Sequence, residues 1–398
     1  MASPRGDAVA GAPPARDRVP ASTLLPLTIF WSTLDRSLIL PLIPGIAGDL
    51  GTSVAVAAVA ITTHAVAYAL LQILWGPLST RWGRIRVLVV STSLAAVANA
   101  LAAMSPEILT LIIARTASGG AFAATFAAVL TYFGDALPLA RRPSAMSNLA
   151  TATALGLAIG TLASGALATW VSWRTIFAVY SVVTALMALL LATLPEAGER
   201  GIEGIRPQLA RLTRNGWAIA VCAVTALEGV LLIGVFNLLP VVLQQAGSDA
   251  FTAGMATAAF GVAVVIVSQL MKLVVGRVAP IWFLAAGGCF AVLGFLILAM
   301  RVDPLTVLIG ATCLGVAWAL AHTTLQTWMT DAASDTRALG MTLFSISLML
   351  GAAAGSAAGT IAVDQGAFSV LFIGSAVAAL GFSIVAVAMR RRYREHGD

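Results

Sequence analysis

The sequence predicts an all-α integral membrane protein whose twelve transmembrane helices form two pseudo-symmetric six-helix bundles. Three observations predict this class. First, the 398 residues are 59% hydrophobic and only 10% charged, with a mean hydropathy of +0.95, whereas an average soluble domain carries roughly 25% charged residues. Second, the chain contains repeated apolar runs of about 20 residues, the length a helix needs to cross a bilayer. Third, landmarks in the first half recur in the second. Transmembrane strands would alternate apolar and polar positions over about ten residues, and "IVSQLMKLVVG" and "ALLLATL" do not.

Residues 1–22, "MASPRGDAVAGAPPARDRVPAS", are rich in Pro, Ala and charge and lack the apolar core of a cleaved signal peptide. They are expected to form a disordered cytoplasmic tail. The N-terminal bundle, 23–194, holds apolar runs near 24–46, 53–75, 86–104, 107–134, 145–169 and 174–194. A polar linker follows at 195–215, "PEAGERGIEGIRPQLARLTRN". The C-terminal bundle, 216–390, holds runs near 216–243, 251–275, 280–300, 304–329, 336–362 and 367–389, and 391–398 form a basic cytoplasmic tail. Cys222, Cys289 and Cys313 are odd in number and fall inside runs, so no disulfide framework is implied.

The repeat is visible at four places. "TLDRSL" around Asp35 matches "ALEGVL" around Glu228 at an offset of 193, and Gly83-Arg84 match Gly276-Arg277 at the same offset. Arg142, Met146, Gly156 and Gly160 match Arg337, Met341, Gly351 and Gly355 at an offset of 195. Two related bundles joined by one linker suit a rocking transporter with its site between them near the midplane; a duplicated scaffold without transport is the competing reading. With an even number of spans and both termini inside, 19 of the 23 Lys and Arg residues lie on the inner side, so the positive-inside rule places both termini in the cytoplasm. The net charge of +6 follows from that topology and needs no nucleic acid, although "MRRRYR" can touch anionic lipid.

At the inner end of the second run stands "GPLSTRWGRIRVL", 76–88. It resembles the loop signature of the major facilitator superfamily, G-x-L-a-D-r-x-G-r-k-x-x-l, through Gly76, Leu78, Arg81, Gly83, Arg84 and Leu88, with Thr80 in the usual Asp position. The resemblance implies the major facilitator fold and a cytoplasmic gating loop built on Gly76, Thr80, Arg81, Gly83 and Arg84, its charged latch altered at Thr80. The glycines permit a tight reversal between helices. "LDRSLILPLIP" is similar to a first-span signature of the twelve-span drug:proton antiporters through Leu34, Pro41 and Pro44. "LIIARTASGGAFAA" matches their fourth-span pattern at Leu111, Arg115 and Gly119, with Ser118 for Gln. "GLAIGTLASG" keeps Gly156, Gly160 and Gly165 of the fifth-span signature but has Thr161 for Pro and Ser164 for Gly.

Ionisable groups inside a membrane cost about 2.5–3.5 kcal/mol each on insertion scales, so they tend to face a cavity and act there. Asp35, Arg115 and Glu228 can share one depth. Asp35 and Arg36 differ by about 100° around a helix, so one is expected to face the cavity and the other a neighbouring helix. Asp35 and Glu228 are the candidate proton-carrying and cation-recognising carboxylates, with Arg115 tuning them, because burial and a nearby cation act oppositely on a carboxyl proton. Permanent pairing of Asp35 with Arg36 or Arg115 is the structural alternative. Arg36 is a candidate partner or substrate contact. Trp31, Trp318 and His322 are cavity candidates, through stacking on cargo or through titration, and each can instead serve packing; so can His64.

No GxxxxGK[ST], HExxH or CxxC is present, so no enzyme, metal or nucleotide chemistry is implied. The expectation is a secondary transporter of the prokaryotic plasma membrane, without cofactor and driven by a proton gradient, its partners being a small-molecule substrate, protons and membrane lipids. A monomer exporting lipophilic cationic or neutral compounds is the leading reading. Proton-coupled or facilitated uptake of a small metabolite, and lipid flipping on the same scaffold, are the alternatives.

Overall fold

A computed structural model describes residues 21–137, 142–196, 212–274 and 276–395. The expected tail before residue 21, the linker over 197–211 and the end of the basic tail from 396 lie outside the described residues. With no water in the bilayer core, backbone groups must be satisfied within each crossing segment. The described chain accordingly folds almost wholly into helices.

The first span is broken: Ala21–Leu38, a 3-10 turn at Leu40–Leu42, and Ile43–Asp49. Then come Val54–Trp82, Arg84–Ala103, Ile108–Ala136, Arg142–Leu167 and Trp173–Leu191 as spans two to six. The seventh is broken as well, into Gly216–Gly229, a π-helix at Val230–Val235, a 3-10 turn at Phe236–Leu238, and Leu239–Gln245. Spans eight to twelve are Ala250–Val274, Pro280–Met300, Pro304–Ala332, Arg337–Asp364 and Phe368–Glu395. Both breaks end at a proline, Pro44 or Pro240, in the first turn of the next helix, where the missing N–H costs nothing. Among the described residues eleven stretches are long and apolar enough to cross a membrane. The remaining crossing is the first span, which carries Asp35 and Arg36.

Packing repeats between the halves. Span one lies on five, two on four, and three on both four and six; span seven lies on eleven, eight on ten, and nine on both ten and twelve. The halves meet where five packs on eight and two on eleven, a pair of contacts related by the same exchange. Close contacts between the halves reach the end away from the loop signature. Gln244 Nε2 donates to Pro41 O across the halves at 2.9 Å, and a Cβ on Gly254 would come within 2.5 Å of Thr161 O.

Glycines set the register of the repeat. A Cβ on Gly156 would meet Phe30 O at 2.5 Å, and one on Gly160 would meet Leu34 O at 3.1 Å; the matching glycines Gly351 and Gly355 abut Ala226 O and Val230 O. Both comparisons give an offset of 196 for spans one and seven, as do Pro44 and Pro240. Glu228 therefore corresponds to Ser32, and the alignment of Asp35 with Glu228 at 193 is corrected: Glu228 sits three residues, about 4.5 Å of helix, nearer the loop-signature end. The offset of 193 does hold at Gly83 and Gly276, which both have positive φ, at 109° and 89°. The change falls within spans two and eight, of 29 and 25 residues.

The loop signature is mostly helix. The second span runs through Gly76 and the Thr80 backbone to Trp82, and the chain reverses at Gly83 alone; the side chain of Thr80 lies outside the described residues. Gly76 thus takes no part in the expected reversal. The Glu196 carboxylate accepts hydrogen bonds from the N–H groups of Ile85 (3.1 Å) and Arg86 (2.9 Å), capping the third span where its free N–H groups favour an anion. Its carboxyl group fills the space a Cβ at Gly83 would need.

Candidate functional site

Two buried polar clusters stand in the apolar interior, one in each half. In the first, Arg115 of span four is 1% exposed and Asp35 of span one is fully buried. Arg115 Nη1 donates to Asp35 Oδ1 (3.0 Å) and Asn99 Oδ1 (3.0 Å). Its Nη2 donates to Asp35 O (2.8 Å) and lies 2.9 Å from Asp35 Oδ2. Ser118 Oγ donates to Asp35 Oδ2 at 2.9 Å and accepts from Asn99 Nδ2 at 3.1 Å. His64 Nδ1 completes the ring, 3.2 Å from Arg115 O and 3.3 Å from Nη2. Each Asp35 oxygen thus has a donor, and a buried charge pair with satisfied lone pairs is a stable arrangement.

The second cluster is less complete. Glu228 is fully buried; Oε2 lies 3.1 Å from His322 Nδ1, and Oε1 has no hydrogen-bond partner. His322 Nε2 lies 3.0 Å from Gln326 Nε2. The imidazole is stacked on Trp318, centroids 4.0 Å apart and 13° between planes, with Phe344 at 5.3 Å. The His322 side chain is 13% exposed, the Glu228 side chain 0%. A carboxylate with one free oxygen beside an imidazole can take up a proton or a donor group from a ligand.

The expected constellation is therefore split. Arg115 pairs with Asp35 and is not among the partners of Glu228, so one Arg tuning both acids does not describe the structure; the cause is that spans one and seven stand in different halves with their acids at different levels. Asp35 turns into its own bundle. Arg36, the next residue, turns toward the other half, where Nη1 lies 3.4 Å from Met349 Sδ of span eleven. Trp31 is stacked on Tyr180 of span six, centroids 4.8 Å apart and 2° between planes, and donates to Thr184 Oγ1 at 2.8 Å. One face and the N–H of its ring are thus engaged inside the first half. Asn99 and Ser118 were not singled out as site residues by sequence reasoning; a polar residue falling in register with Arg115, as Ser118 does three positions on, was the available signal.

Repeated six-helix halves meeting along paired seams, with ionisable groups buried in each, define a polytopic membrane transporter. The Major Facilitator Superfamily profile matches residues 26–338. The chain belongs to that superfamily. Its curated relatives match over partial lengths. The efflux pump dotC of Dothistroma septosporum is 28% identical over 169 residues, 41% of this chain and 29% of the pump. The MFS-type transporter YdgK of Bacillus subtilis is 28% identical over 167 residues, 42% of each chain. EfpA of Mycobacterium tuberculosis is 31% identical over 147 residues, 37% of this chain and 28% of that protein. The chain thus covers less than half the length of these relatives. Among solved structures, a bacterial homologue of the human lysosomal transporter Spinster superposes with a TM-score of 0.71 at 15% identity, covering 93% of this chain and 95% of that one. The nucleoside transporter NupG superposes with a TM-score of 0.76 at 13% identity, covering 93% and 100%. At such identities the likeness is one of fold.

Proposed function

We propose that the protein is a secondary active exporter that exchanges lipophilic cationic or neutral small molecules for protons by alternating access. The observation that carries this reading is the free Oε1 of Glu228, buried beside His322. A proton and a cationic or donor group of the cargo compete for that oxygen, and competition for one site couples the two movements. His322 holds the other oxygen and is itself part-exposed, so it stands between the acid and solvent. Trp318 behind it supplies an aromatic wall. Asp35, already satisfied by Arg115 and Ser118, braces the first bundle. The efflux pump among the partial relatives supports the outward direction, and the arginine distribution supports a plasma-membrane orientation with both termini cytoplasmic. In that orientation the joined end is the outer one. The energy source is the proton gradient, no cofactor is required, and a monomer embedded in lipid suffices.

The test is reconstitution in liposomes with an imposed pH gradient, a pH-sensitive dye inside, and a panel of cationic, neutral and anionic compounds. Cargo-triggered collapse of the gradient is expected, and Glu228→Gln should abolish it. Collapse that survives unchanged in Glu228→Gln would remove the assigned proton site.

A further inference from the structure

Among the described residues, Arg36 is an interior charge without a charged partner. It lies in the first span, one position from Asp35 but turned about 100° away, and reaches across the seam between halves to Met349. A guanidinium presents five N–H donors and no acceptor. Here one of them meets a thioether sulfur, a weak acceptor, while the buried Nε has no partner. Arg115 also leaves its Nε bare, but its terminal nitrogens meet a carboxylate, an amide and a carbonyl. Among the described residues no carboxylate pairs with Arg36.

A membrane-embedded cation held by a sulfur atom is undercompensated. It also stands where span one faces span eleven, so relative movement of the halves changes what it touches. We infer that Arg36 is the acid-recognising residue of the cargo site: the transported compound carries a carboxylate that displaces Met349 and forms the paired N–H···O bonds that a guanidinium fork makes with a planar anion. This rests on the exporter reading and deepens it. With Glu228 answering the basic or donor part of the cargo and Arg36 its acid, the favoured substrate class is amphoteric: a lipophilic ring system bearing a basic and a carboxylate group. A plain lipophilic cation leaves Arg36 on its sulfur and forfeits one of two anchors.

Two dyes on one xanthene frame test this. Rhodamine 110 carries amino groups and a free carboxylate, whereas rhodamine 123 is its methyl ester and purely cationic. Binding is read by quenching of protein tryptophan in detergent, and transport by dye flux into liposomes with and without a pH gradient, for the wild type, Arg36→Gln, Arg36→Lys and Glu228→Gln. The wild type should bind rhodamine 110 at least tenfold more tightly than rhodamine 123. Arg36→Gln should reduce that preference at least tenfold, and Arg36→Lys, which keeps the charge without the fork, should restore part of it. Equal affinity for the two dyes, no binding of rhodamine 110, or an Arg36→Gln variant with the wild-type preference would overturn the assignment. Failure of the exporter reading has a different signature: dye flux that ignores the pH gradient, in Glu228→Gln and wild type alike, whatever the dye preference.

Discussion

Arg115 gives its two terminal nitrogens to Asp35, Asn99 and a backbone carbonyl in a site with almost no exposure to solvent. Removing one partner of such a pair leaves the other charge buried and uncompensated, at about 3–5 kcal/mol. Arg115→Gln and Asp35→Asn should therefore each lower the melting temperature strongly, and the double variant should lose clearly less than the sum of the two. A double-mutant cycle of unfolding in detergent measures this, and simple additivity would show that the pair is not coupled. Outside the membrane, Asp303 accepts hydrogen bonds from the N–H groups of Leu305 and Thr306, both at 3.0 Å, and caps span ten. The Thr306 N–H, followed by Arg301, holds this carboxyl below its usual range against a smaller opposing effect of desolvation. Because the folded value is depressed, the cap contributes fully above the unfolded value of about 3.9, and the contribution is lost as pH falls through the folded one. Asp303→Ala should thus melt lower than wild type at pH 7, with the gap closing on acidification below about pH 4.

At the scale of elements, spans one and seven are interrupted helices seated against spans five and eleven through glycines. Gly156→Val would drive a branched side chain against Phe30 O and Thr33 Cβ, the latter 2.9 Å from where a Cβ would stand. Overpacking of this kind costs about 1–3 kcal/mol, so a lower melting temperature is expected, and Gly351→Val should reproduce it in the second half. An unchanged melting temperature in both would mean these helices separate freely. The break in span one is legible in Pro41 and Pro44, because proline cannot continue a hydrogen-bond ladder. The π-helix at Val230–Val235 is not: "VLLIGV" contains no residue that dictates a wider turn, and that geometry comes from packing. The repeat register of spans one and seven differs from the string alignment for a related reason. "LDRSL" and "LEGVL" share an acid by position in a string, whereas structural equivalence follows which backbone each glycine touches. Arg115 and Glu228 stood out because charge is rare in an apolar run, but their separation into two clusters depends on helix rotation, which no short motif encodes.

At the scale of the whole molecule, the joined end is where the halves must part if the site is to open to the other side. A thiol-cleavable bifunctional reagent bridging Pro41→Cys to Gln244→Cys, positions now linked by a 2.9 Å hydrogen bond, should stop transport, and a reductant should restore it. The background should lack Cys222, Cys289 and Cys313, of which Cys289 is exposed. Full flux in the cross-linked protein would place the moving parts elsewhere. The family and the number of crossings were legible in hydropathy and in the loop signature; which end is joined was not, since that depends on which residues meet across the halves and no short motif encodes it. The seam between spans five and eight carries one more consequence. Gly165 abuts the Ala250 carbonyl and Gly254 faces that of Thr161, while further along the seam the Ala158 methyl sits against Gly261, so backbone lies almost directly on backbone. Such a joint is a close-fitting bearing: a larger side chain at any of these glycines would wedge it apart.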